Sequence, residues 1–398
     1  MNVTIFPQKL KGTVPAIPSK SCAHRALICA AFAQGSTQLY LDQVNADIEA
    51  TADCLNALGV GIQRTAYGYD ITPAEAIPEA AVLPCRESGS TLRFLLPVAG
   101  ALGVVTTFLL EGRLGQRPLS PLWEEMERMG CLLTRPDANS LHCSGRLNSG
   151  EYRIAGNISS QFISGLLFAA CLMDGDVTIT VEGKLESTPY VDMTRDVLAQ
   201  FGVDTEQLRI SSQCRLHSPG KLFIEGDWSN AAFFLTAKAL GSQVDITGLN
   251  EDSSQGDKAV VPCLEQLRDY AVISAADIPD LIPILSVAAA AGNGAEFTDI
   301  QRLRLKESDR VASVVDMIRA LGGCATATQD TLKVFGTGFS GGCVDSCNDH
   351  RIAMAAAIAA TVCKEPVTIR NAQAVNKSYP KFWEDYQNLG GNYEQHLR

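Results

Sequence analysis

The fold is decided by the stretch SKSCAHRALICAAFA at residues 19–33. After its polar first residues, this stretch is small and apolar on nearly every side, which is typical of a helix buried inside a domain. Similar segments recur along the chain at intervals of 69 or 70 residues, apart from one interval of 51, so the chain contains an internal repeat. The six predicted buried helices are Ser21 to Ala33, Ser90 to Leu102, Ser160 to Met173, Ser229 to Leu240, Asp280 to Ala291 and Asp349 to Val362.

A second, amphipathic set of helices alternates with the buried set. Five of its members end in an apolar residue followed by glycine, which readily adopts the left-handed conformation that closes a helix. Short runs rich in β-branched residues, such as Val104 to Leu110, follow the buried helices and predict strands. Each repeat is therefore predicted to hold a buried helix, a strand, an amphipathic helix and a hairpin. The five terminating pairs are Leu58-Gly59, Met129-Gly130, Phe201-Gly202, Leu321-Gly322 and Leu389-Gly390, and the sixth helix, Ala259 to Tyr270, lacks the glycine.

Six repeats indicate two domains of three repeats each. We predict one domain over residues 19–225 and another formed by residues 1–18 together with 226–398. The strand Val3 to Phe6 precedes the first repeat, and we expect it to pair with the C-terminal half. The chain then crosses between domains near residues 15–20 and 221–227, about which we expect the domains to close during catalysis. The 51-residue interval predicts that the fourth repeat lacks a hairpin.

The composition of the chain argues against several classes of protein. The 398 residues include 33 Lys and Arg against 44 Asp and Glu, a net charge of −11, which argues against binding to nucleic acid. The longest near-apolar run, Ile352 to Cys363, is too short to cross a membrane, and no export signal is visible. Thirteen cysteines without a CxxC pair indicate reduced thiols in the cytoplasm, and five histidines without ligand spacing predict neither metal nor cofactor. We expect a monomer.

Polar residues and cations gather at the starts of the buried helices. Serine, aspartate and asparagine at these starts have two interpretations: they cap the free N–H groups of the first turn, or they bind anions beside the positive end of the helix. A pair such as Glu307 and Arg310 is equally consistent with a surface ion pair. Taken together, the cations predict a site for small polyanionic substrates. They are Lys20, Arg25, Arg93, Arg117, Lys306, Arg310, Arg351 and Lys377.

The order and spacing of ten motifs resemble the enolpyruvyl transferase family over essentially the whole chain. The resemblance implies an α/β fold of two domains, each an inside-out barrel of three repeats. It also implies transfer of the enolpyruvyl group of phosphoenolpyruvate to the 5-hydroxyl of shikimate 3-phosphate, in the biosynthesis of aromatic amino acids. The motifs are SKSCAHR (19–25), ESGSTLRF (87–94), GQRPL (115–119), SSQFISGLL (159–167), STPYVDMT (187–194), EGDWSNAAFFL (225–235), DIPD (277–280), KESDR (306–310), NDHRIAM (348–354) and VNKSYPKFW (375–383).

The same resemblance implies roles for individual residues. Asp280 would accept the proton of the attacking hydroxyl, and Glu307 would protonate the methylene carbon of phosphoenolpyruvate; Lys20, Lys377 and His350 would assist. The domain of residues 19–225 would be the shikimate 3-phosphate side and the other domain the phosphoenolpyruvate side. The implied ligands of shikimate 3-phosphate are Lys20, Ser21, Arg25, Ser159, Ser160, Gln161, Ser187, Tyr190, Asp280 and Lys306. Those of phosphoenolpyruvate are Lys20, Gly89, Arg117, Gln161, Arg310, Arg351 and Lys377.

Four positions depart from the common pattern of the family: Glu87, Ser90, Phe94 and Arg302. They leave substrate affinity and the response to glyphosate open. Three alternatives are weaker. A transferase acting on UDP-N-acetylglucosamine often carries a cysteine in the loop where residues 106–116 here have none. An RNA 3′-phosphate cyclase fits the acidic charge poorly, and an inactive anion-binding repeat protein would not need the full set of charged residues.

Overall fold

The computed structural model of the protein describes residues 1–396, with Glu206 described by its backbone alone. The chain forms two compact units. The central unit is Pro18–Glu225, and the terminal unit joins Met1–Ile17 to the chain from Gly226 onward. This boundary lies one residue before the predicted one, because Pro18 belongs to the central unit. No helix within residues 1–396 is both long and apolar enough to cross a membrane.

The elements alternate along the chain as the repeat predicts. The helices are α1 (Lys20–Ala31), α2 (Ala46–Ala57), α3 (Gly89–Leu102), α4 (Leu122–Arg128), α5 (Ser160–Ala170), α6 (Thr188–Gln200), α7 (Trp228–Ala239), α8 (Val260–Gln266), α9 (Ile282–Ala291), α10 (Arg310–Ala320), α11 (His350–Ala360) and α12 (Phe382–Asn388). The strands are β1 (Asn2–Phe6), β2 (Lys11–Pro15), β3 (Thr37–Tyr40), β4 (Gly61–Arg64), β5 (Gly68–Thr72), β6 (Ala80–Arg86), β7 (Val105–Leu110), β8 (Cys131–Asp137), β9 (Ser140–Gly145), β10 (Gly150–Ala155), β11 (Val177–Glu182), β12 (Arg209–Ile210), β13 (Lys221–Phe223), β14 (Gln243–Thr247), β15 (Ala271–Ser274), β16 (Ala295–Thr298), β17 (Cys324–Ala327), β18 (Thr331–Phe335), β19 (Gly342–Asp345), β20 (Val367–Arg370) and β21 (Asn392–His396).

The six apolar helices form the interiors of the two units. Helices α1, α3 and α5 are buried in the central unit, and α7, α9 and α11 in the terminal unit; every residue of α11 is buried. Each unit has one apolar core of its own. The five predicted terminating glycines all have a positive φ, between 80° and 113°, so the predicted left-handed helix ends are confirmed.

The strands of residues 1–396 form six sheets. Three of these sheets combine a parallel pair with an antiparallel hairpin: β13-β3-β5-β4, β6-β7-β9-β8 and β15-β16-β18-β17. In a fourth sheet, β19-β20-β1-β21, the antiparallel strands β1 and β21 are far apart in sequence. The sheet that holds β14 of the fourth repeat consists of β14 and β2 alone, which explains the short 51-residue interval. Strand β1 pairs antiparallel with β20 and β21, so the N-terminal strand joins the C-terminal half as predicted.

Five of the six buried helices begin with a side-chain cap. Ser19, Ser88, Ser159, Asp227 and Asp349 each accept a hydrogen bond from a backbone N–H of the first turn. The prediction that the fifth helix begins at Asp280 was wrong. Helix α9 begins at Ile282 after Leu281, without a side-chain cap, because the carboxylate of Asp280 instead binds two arginines.

Candidate active site

Arg310 is the centre of an ionic cluster in the terminal unit. It is the first residue of α10, and its side chain is 1% exposed. Its three guanidinium nitrogens donate to three carboxylates: Nη1 to Asp280 at 2.5 Å, Nη2 to Glu307 at 2.6 Å and Nε to Asp349 at 2.9 Å. Burying a lone guanidinium is very unfavourable, so the site depends on these charge-assisted hydrogen bonds. The surface-pair interpretation of Glu307 and Arg310 is therefore wrong.

Asp280 is held by cations on both of its oxygens. Oδ2 accepts a hydrogen bond of 2.9 Å from Arg351, and Oδ1 lies 3.6 Å from Nζ of Lys306 as well as accepting from Arg310. Burial by itself would raise the pKa of Asp280, but the charges of Arg351, Lys306 and Arg310 outweigh it and hold that pKa well below its ordinary value. In the ligand-free site Asp280 is thus an ionised carboxylate.

The same surroundings favour the charged form of Asp280 but disfavour the charged form of Lys306. Burial lowers the pKa of Lys306, and the charges of Arg310 and Arg302 lower it further, while Asp280 acts against them; the result is a pKa of about 8. Its side chain is 22% exposed. Lys306 is therefore mostly charged at pH 7 and changes its charge just above neutral pH.

Asp349 joins the ionic cluster to the start of α11. One carboxylate oxygen caps the helix by accepting from the N–H of Arg351 at 3.0 Å. The other accepts from Arg310 and, at 3.1 Å, from the hydroxyl of Ser308. Nδ1 of His350 lies 3.9 Å from this carboxylate, and His350 is buried. Sequence reasoning left open whether Asp349 merely caps the helix; it caps α11 and also orients Arg310.

Lys377 stands close to the start of α11. It is the last residue of the 3₁₀ helix Ala372–Lys377, and its ammonium donates to the backbone carbonyl of Asn348 at 2.8 Å. Asn348 and Cys347 both have a left-handed backbone, with φ of 56° and 52°. That turn presents the Asn348 carbonyl to Lys377 immediately before the cap of α11.

Arg25 is the most buried cation of the central unit. Its Nη1 donates to the carbonyl of Ser21 at 2.7 Å, its Nη2 to the carbonyl of Tyr190 at 2.7 Å and its Nε to Thr194 at 2.8 Å. The guanidinium lies 5.1 Å from the ring centroid of Phe94. Burial lowers the pKa of Arg25 to about 10, so it stays charged at neutral pH. Arg25 joins α1 to α6 and thereby brings Ser21 and Tyr190 together.

Helices α3 and α5 bring a second group of predicted site residues together. Gln161 donates to the hydroxyl of Ser90 at 2.9 Å and accepts from Arg93 at 3.3 Å. At Gly89, a Cβ atom would lie only 2.6 Å from Nη1 of Arg117, so the guanidinium lies directly against the glycine. The remaining predicted residues lie at helix starts: Ser159 caps α5, Ser160 is its first residue, and Ser187, with a φ of 56°, is the residue before α6.

Two acidic residues of the site were missed from sequence. Asp47, on α2, accepts a hydrogen bond of 3.0 Å from Lys20. Asp257 is buried in the 3₁₀ helix Gly256–Ala259, and burial together with the charge of Asp280 raises its pKa to about 6. Each stands at the start of the amphipathic helix of the first repeat of its unit.

Two units of three repeats, with polar and cationic side chains at the starts of buried helices, are the arrangement that the sequence resemblance implied for an enolpyruvyl transferase. Residues 6–277 and 268–386 match the family model of EPSP synthase (3-phosphoshikimate 1-carboxyvinyltransferase), and the chain belongs to that family. It is 37% identical to the 3-phosphoshikimate 1-carboxyvinyltransferase of Clostridium beijerinckii, over 99% of this chain and 98% of the relative. With that of Clostridium kluyveri the identity is 38%, at the same coverage.

Solved structures share the fold. EPSP synthase from Acinetobacter baumannii matches with a TM-score of 0.78 at 24% identity, covering 99% of both chains. The enolpyruvyl transferase NikO from Streptomyces tendae matches with a TM-score of 0.80 at 17% identity, covering 100% of this chain and 99% of its own. At these identities the likeness is one of fold. It agrees with the inside-out α/β barrels that the sequence resemblance implied.

Proposed function

We propose that the protein transfers the enolpyruvyl group of phosphoenolpyruvate to the 5-hydroxyl of shikimate 3-phosphate and releases inorganic phosphate. Membership of the EPSP synthase family over nearly the whole chain carries this proposal. Both substrates carry a phosphate and a carboxylate, and two unit charges 4 Å apart repel by about 1 kcal/mol even in water. Fixed cations are therefore needed to hold the substrates in contact, and both units supply them.

Each unit contributes its own set of groups. In the central unit, the serines and Lys20 bind shikimate 3-phosphate, and Gly89, Arg117 and Gln161 bind phosphoenolpyruvate beside them. In the terminal unit, Lys306 and Asp280 act on shikimate 3-phosphate, and the three further cations bind phosphoenolpyruvate. The serines are Ser21, Ser159, Ser160 and Ser187, with Arg25 and Tyr190 beside them, and the three cations are Arg310, Arg351 and Lys377.

The reaction is an addition followed by an elimination. Glu307 gives a proton to the methylene carbon of phosphoenolpyruvate, which makes C2 electrophilic. The 5-hydroxyl oxygen attacks C2 while its proton passes to Asp280, giving a tetrahedral adduct. The new methyl group then returns a proton to Glu307 while the bond from C2 to the phosphate oxygen breaks, which restores the double bond, and the departing phosphate takes up the proton held by Asp280. The step needs one carboxyl that holds a proton and one that accepts a proton, a division that differing environments create.

Bound substrate anions make the environments of the Asp280 and Glu307 carboxyl groups differ. In the ligand-free site Arg310 binds both Asp280 and Glu307. An anion that takes over Arg310 or Arg351 weakens the hold of these cations on the carboxylates. The pKa of Asp280 then rises from its depressed value and the residue becomes a better base. Lys20, Lys377 and His350 complete the catalytic set, with the lysines balancing the charge that develops on the leaving phosphate.

Release of inorganic phosphate tests the proposal. Phosphoenolpyruvate is supplied with either shikimate 3-phosphate or UDP-N-acetylglucosamine, to the unchanged protein, to Glu307→Gln and to the control Glu265→Gln. Glu265 is an exposed acid on α8. We expect release with shikimate 3-phosphate alone, lost in Glu307→Gln and kept in the control. Release with the UDP-sugar alone would replace the acceptor, and no release with either would overturn the enzymatic function.

The cellular setting is also a proposal. The thirteen cysteines are free thiols, nine of them buried, which supports a reducing compartment, and we propose the cytoplasm. We propose further that the protein acts as a monomer, which sedimentation at micromolar concentration would establish or refute.

A further inference from the structure

The imidazole ring of His24, a polar group, lies in the apolar core of the central unit. It stands on α1 one turn after Lys20 and is fully buried. Its Nδ1 lies 2.7 Å from the hydroxyl of Thr51 on α2. The Thr51 hydroxyl lies 2.6 Å from that of Thr91 on α3, and Thr91 donates to Ser88, the cap of α3, at 2.7 Å. A chain of side-chain hydrogen bonds thus joins the second turns of α1 and α2 to the first turn of α3.

This chain runs parallel to a second connection between α1 and α2. Lys20 donates to the carboxylate of Asp47 at 3.0 Å. Lys20 and His24 are four residues apart on α1, and Asp47 and Thr51 are four residues apart on α2. Residues at this spacing lie one above the other on the same helix face. The two helices are therefore joined by an ion pair at the surface, with side chains 16% and 17% exposed, and by a buried hydrogen bond one turn deeper.

The direction of the hydrogen bonds follows from counting donors. The acceptors in reach of the Thr91 hydroxyl proton are Ser88 at 2.7 Å and the carbonyl of Asp47 at 3.5 Å, so Thr51 donates to Thr91. His24 then donates to Thr51 from Nδ1. Nε2 is then a bare acceptor, and within the described residues no hydrogen-bonding partner lies in reach of it. A proton on Nε2 would have no acceptor. Burial and the nearby charges of Lys20 and Arg25 also lower the pKa of His24 well below its ordinary value, so the ring is neutral.

We propose that His24 is a positioning residue that holds Lys20 in place through α2. The side chain of Lys20 is flexible because it has four rotatable bonds, and its ammonium is held by the ion pair with Asp47. The place of Asp47 depends in turn on how α2 lies against α1. The buried hydrogen bond from His24 to Thr51 fixes how α2 lies against α1. The hydrogen bond between Thr51 and Thr91 joins both helices to the start of α3. The proposal rests on the proposed function, in which Lys20 lies between the two substrates.

Removing the buried bond tests the proposal. His24→Leu and the nearly isosteric Thr51→Val both break it, and His24→Asn keeps a short donor in its place. The matched control is Thr236→Val, which removes a buried hydroxyl from α7 in the other unit. All variants are assayed at 25 °C after circular dichroism has shown them folded. We expect kcat to fall at least tenfold in His24→Leu and Thr51→Val, to stay within threefold in His24→Asn, and to be unchanged in Thr236→Val.

Two further measurements separate positioning from a purely structural role. In a Lys20→Met background, adding Thr51→Val should cause no further loss of kcat, because the two changes act through one group. Reductive ¹³C-methylation keeps the charge of lysine, and the Lys20 resonance should move to the position of an exposed lysine in Thr51→Val but not in Thr236→Val.

Each of three results would overturn the proposal. They are an unchanged kcat in folded Thr51→Val, a further fall in kcat when Thr51→Val is added to Lys20→Met, and a Lys20 resonance that does not move in Thr51→Val. The resonance needs no turnover. A protein without phosphate release but with the expected resonance shift would refute the proposed function and leave the positioning of Lys20 standing.

Discussion

Shikimate 3-phosphate should bind less tightly above pH 8, because Lys306 loses its charge there. Burial and the charges of Arg310 and Arg302 lower the pKa of Lys306 to about 8. If the charged lysine alone binds the substrate, the apparent Kd grows by the factor 1 + 10^(pH−8), which is about 1.1 at pH 7 and about 11 at pH 9. Affinity should therefore fall roughly tenfold over two pH units, equivalent to about 1.4 kcal/mol.

Calorimetric titration of shikimate 3-phosphate, without phosphoenolpyruvate, measures this change at fixed ionic strength. Salt must be constant because it screens charge interactions. The substrate phosphate contributes little, since the second pKa of a phosphate monoester is about 6. Binding at pH 8 should also take up about half a proton, which appears as a dependence of the measured enthalpy on the buffer.

Lys306→Arg is the decisive variant, because arginine stays charged throughout this range. Its affinity for shikimate 3-phosphate should be nearly constant from pH 7 to 9, whereas the control Lys333→Arg, on the exposed face of β18, should keep the tenfold fall of the unchanged protein. A tenfold fall in Lys306→Arg as well would refute the reasoning and assign the pH dependence to another group.

Three further predictions concern stability, measured by urea unfolding. Arg310→Met leaves three carboxylates without their common cation and should cost roughly 3–5 kcal/mol at pH 7; a loss below about 1 kcal/mol would contradict the cluster. Asp227→Ala removes the cap of α7 and should lower the free energy of unfolding by about 1–2 kcal/mol; an unchanged value would show that water replaces the cap. Gly165→Ala would press a Cβ atom against the carbonyl oxygen of Arg93 and should cost about 1–3 kcal/mol, whereas Gly61→Ala, whose Cβ would make an ordinary contact of 3.4 Å with Thr72, should cost less; similar values would show that α3 and α5 separate freely.

The helices could be predicted from sequence because their signals are local. The apolar stretch of α1, and the glycine that follows five of the six amphipathic helices, are signals that lie within one or two turns of the helix. Such signals located the twelve α-helices of residues 1–396, although α8 ends at Gln266, short of the predicted Tyr270. Asp280 was misplaced as a helix start for the opposite reason. Its partners Arg310 and Arg351 are 30 and 71 residues away, and nothing nearby distinguishes an acid that caps from an acid that pairs.

The site was predicted in its residue types and not in its connections. The family resemblance indicated Asp280, Glu307 and Arg310, but no pattern shows that one guanidinium binds carboxylates from three separate elements. His24 and Asp47 were missed because their partners Thr51 and Lys20 are each 27 residues away, and no local pattern indicates such a contact. Their importance depends on how α1 lies against α2, which is fixed by the packing of the whole central unit.

The charges of the terminal cluster explain why binding and proton transfer are linked. Three carboxylates, Asp280, Glu307 and Asp349, face the cations Arg310, Arg351 and Lys306, so the ligand-free cluster is close to neutral. A polyanion that binds there adds negative charge to this balance, and the favourable response is for a carboxyl to take up a proton. Asp349 is fixed by the cap of α11 and by Ser308. Of the three carboxylates that bind Arg310, Asp280 and Glu307 are the two that cap no helix, and these are the two for which the proposed reaction needs a proton acceptor and a proton donor.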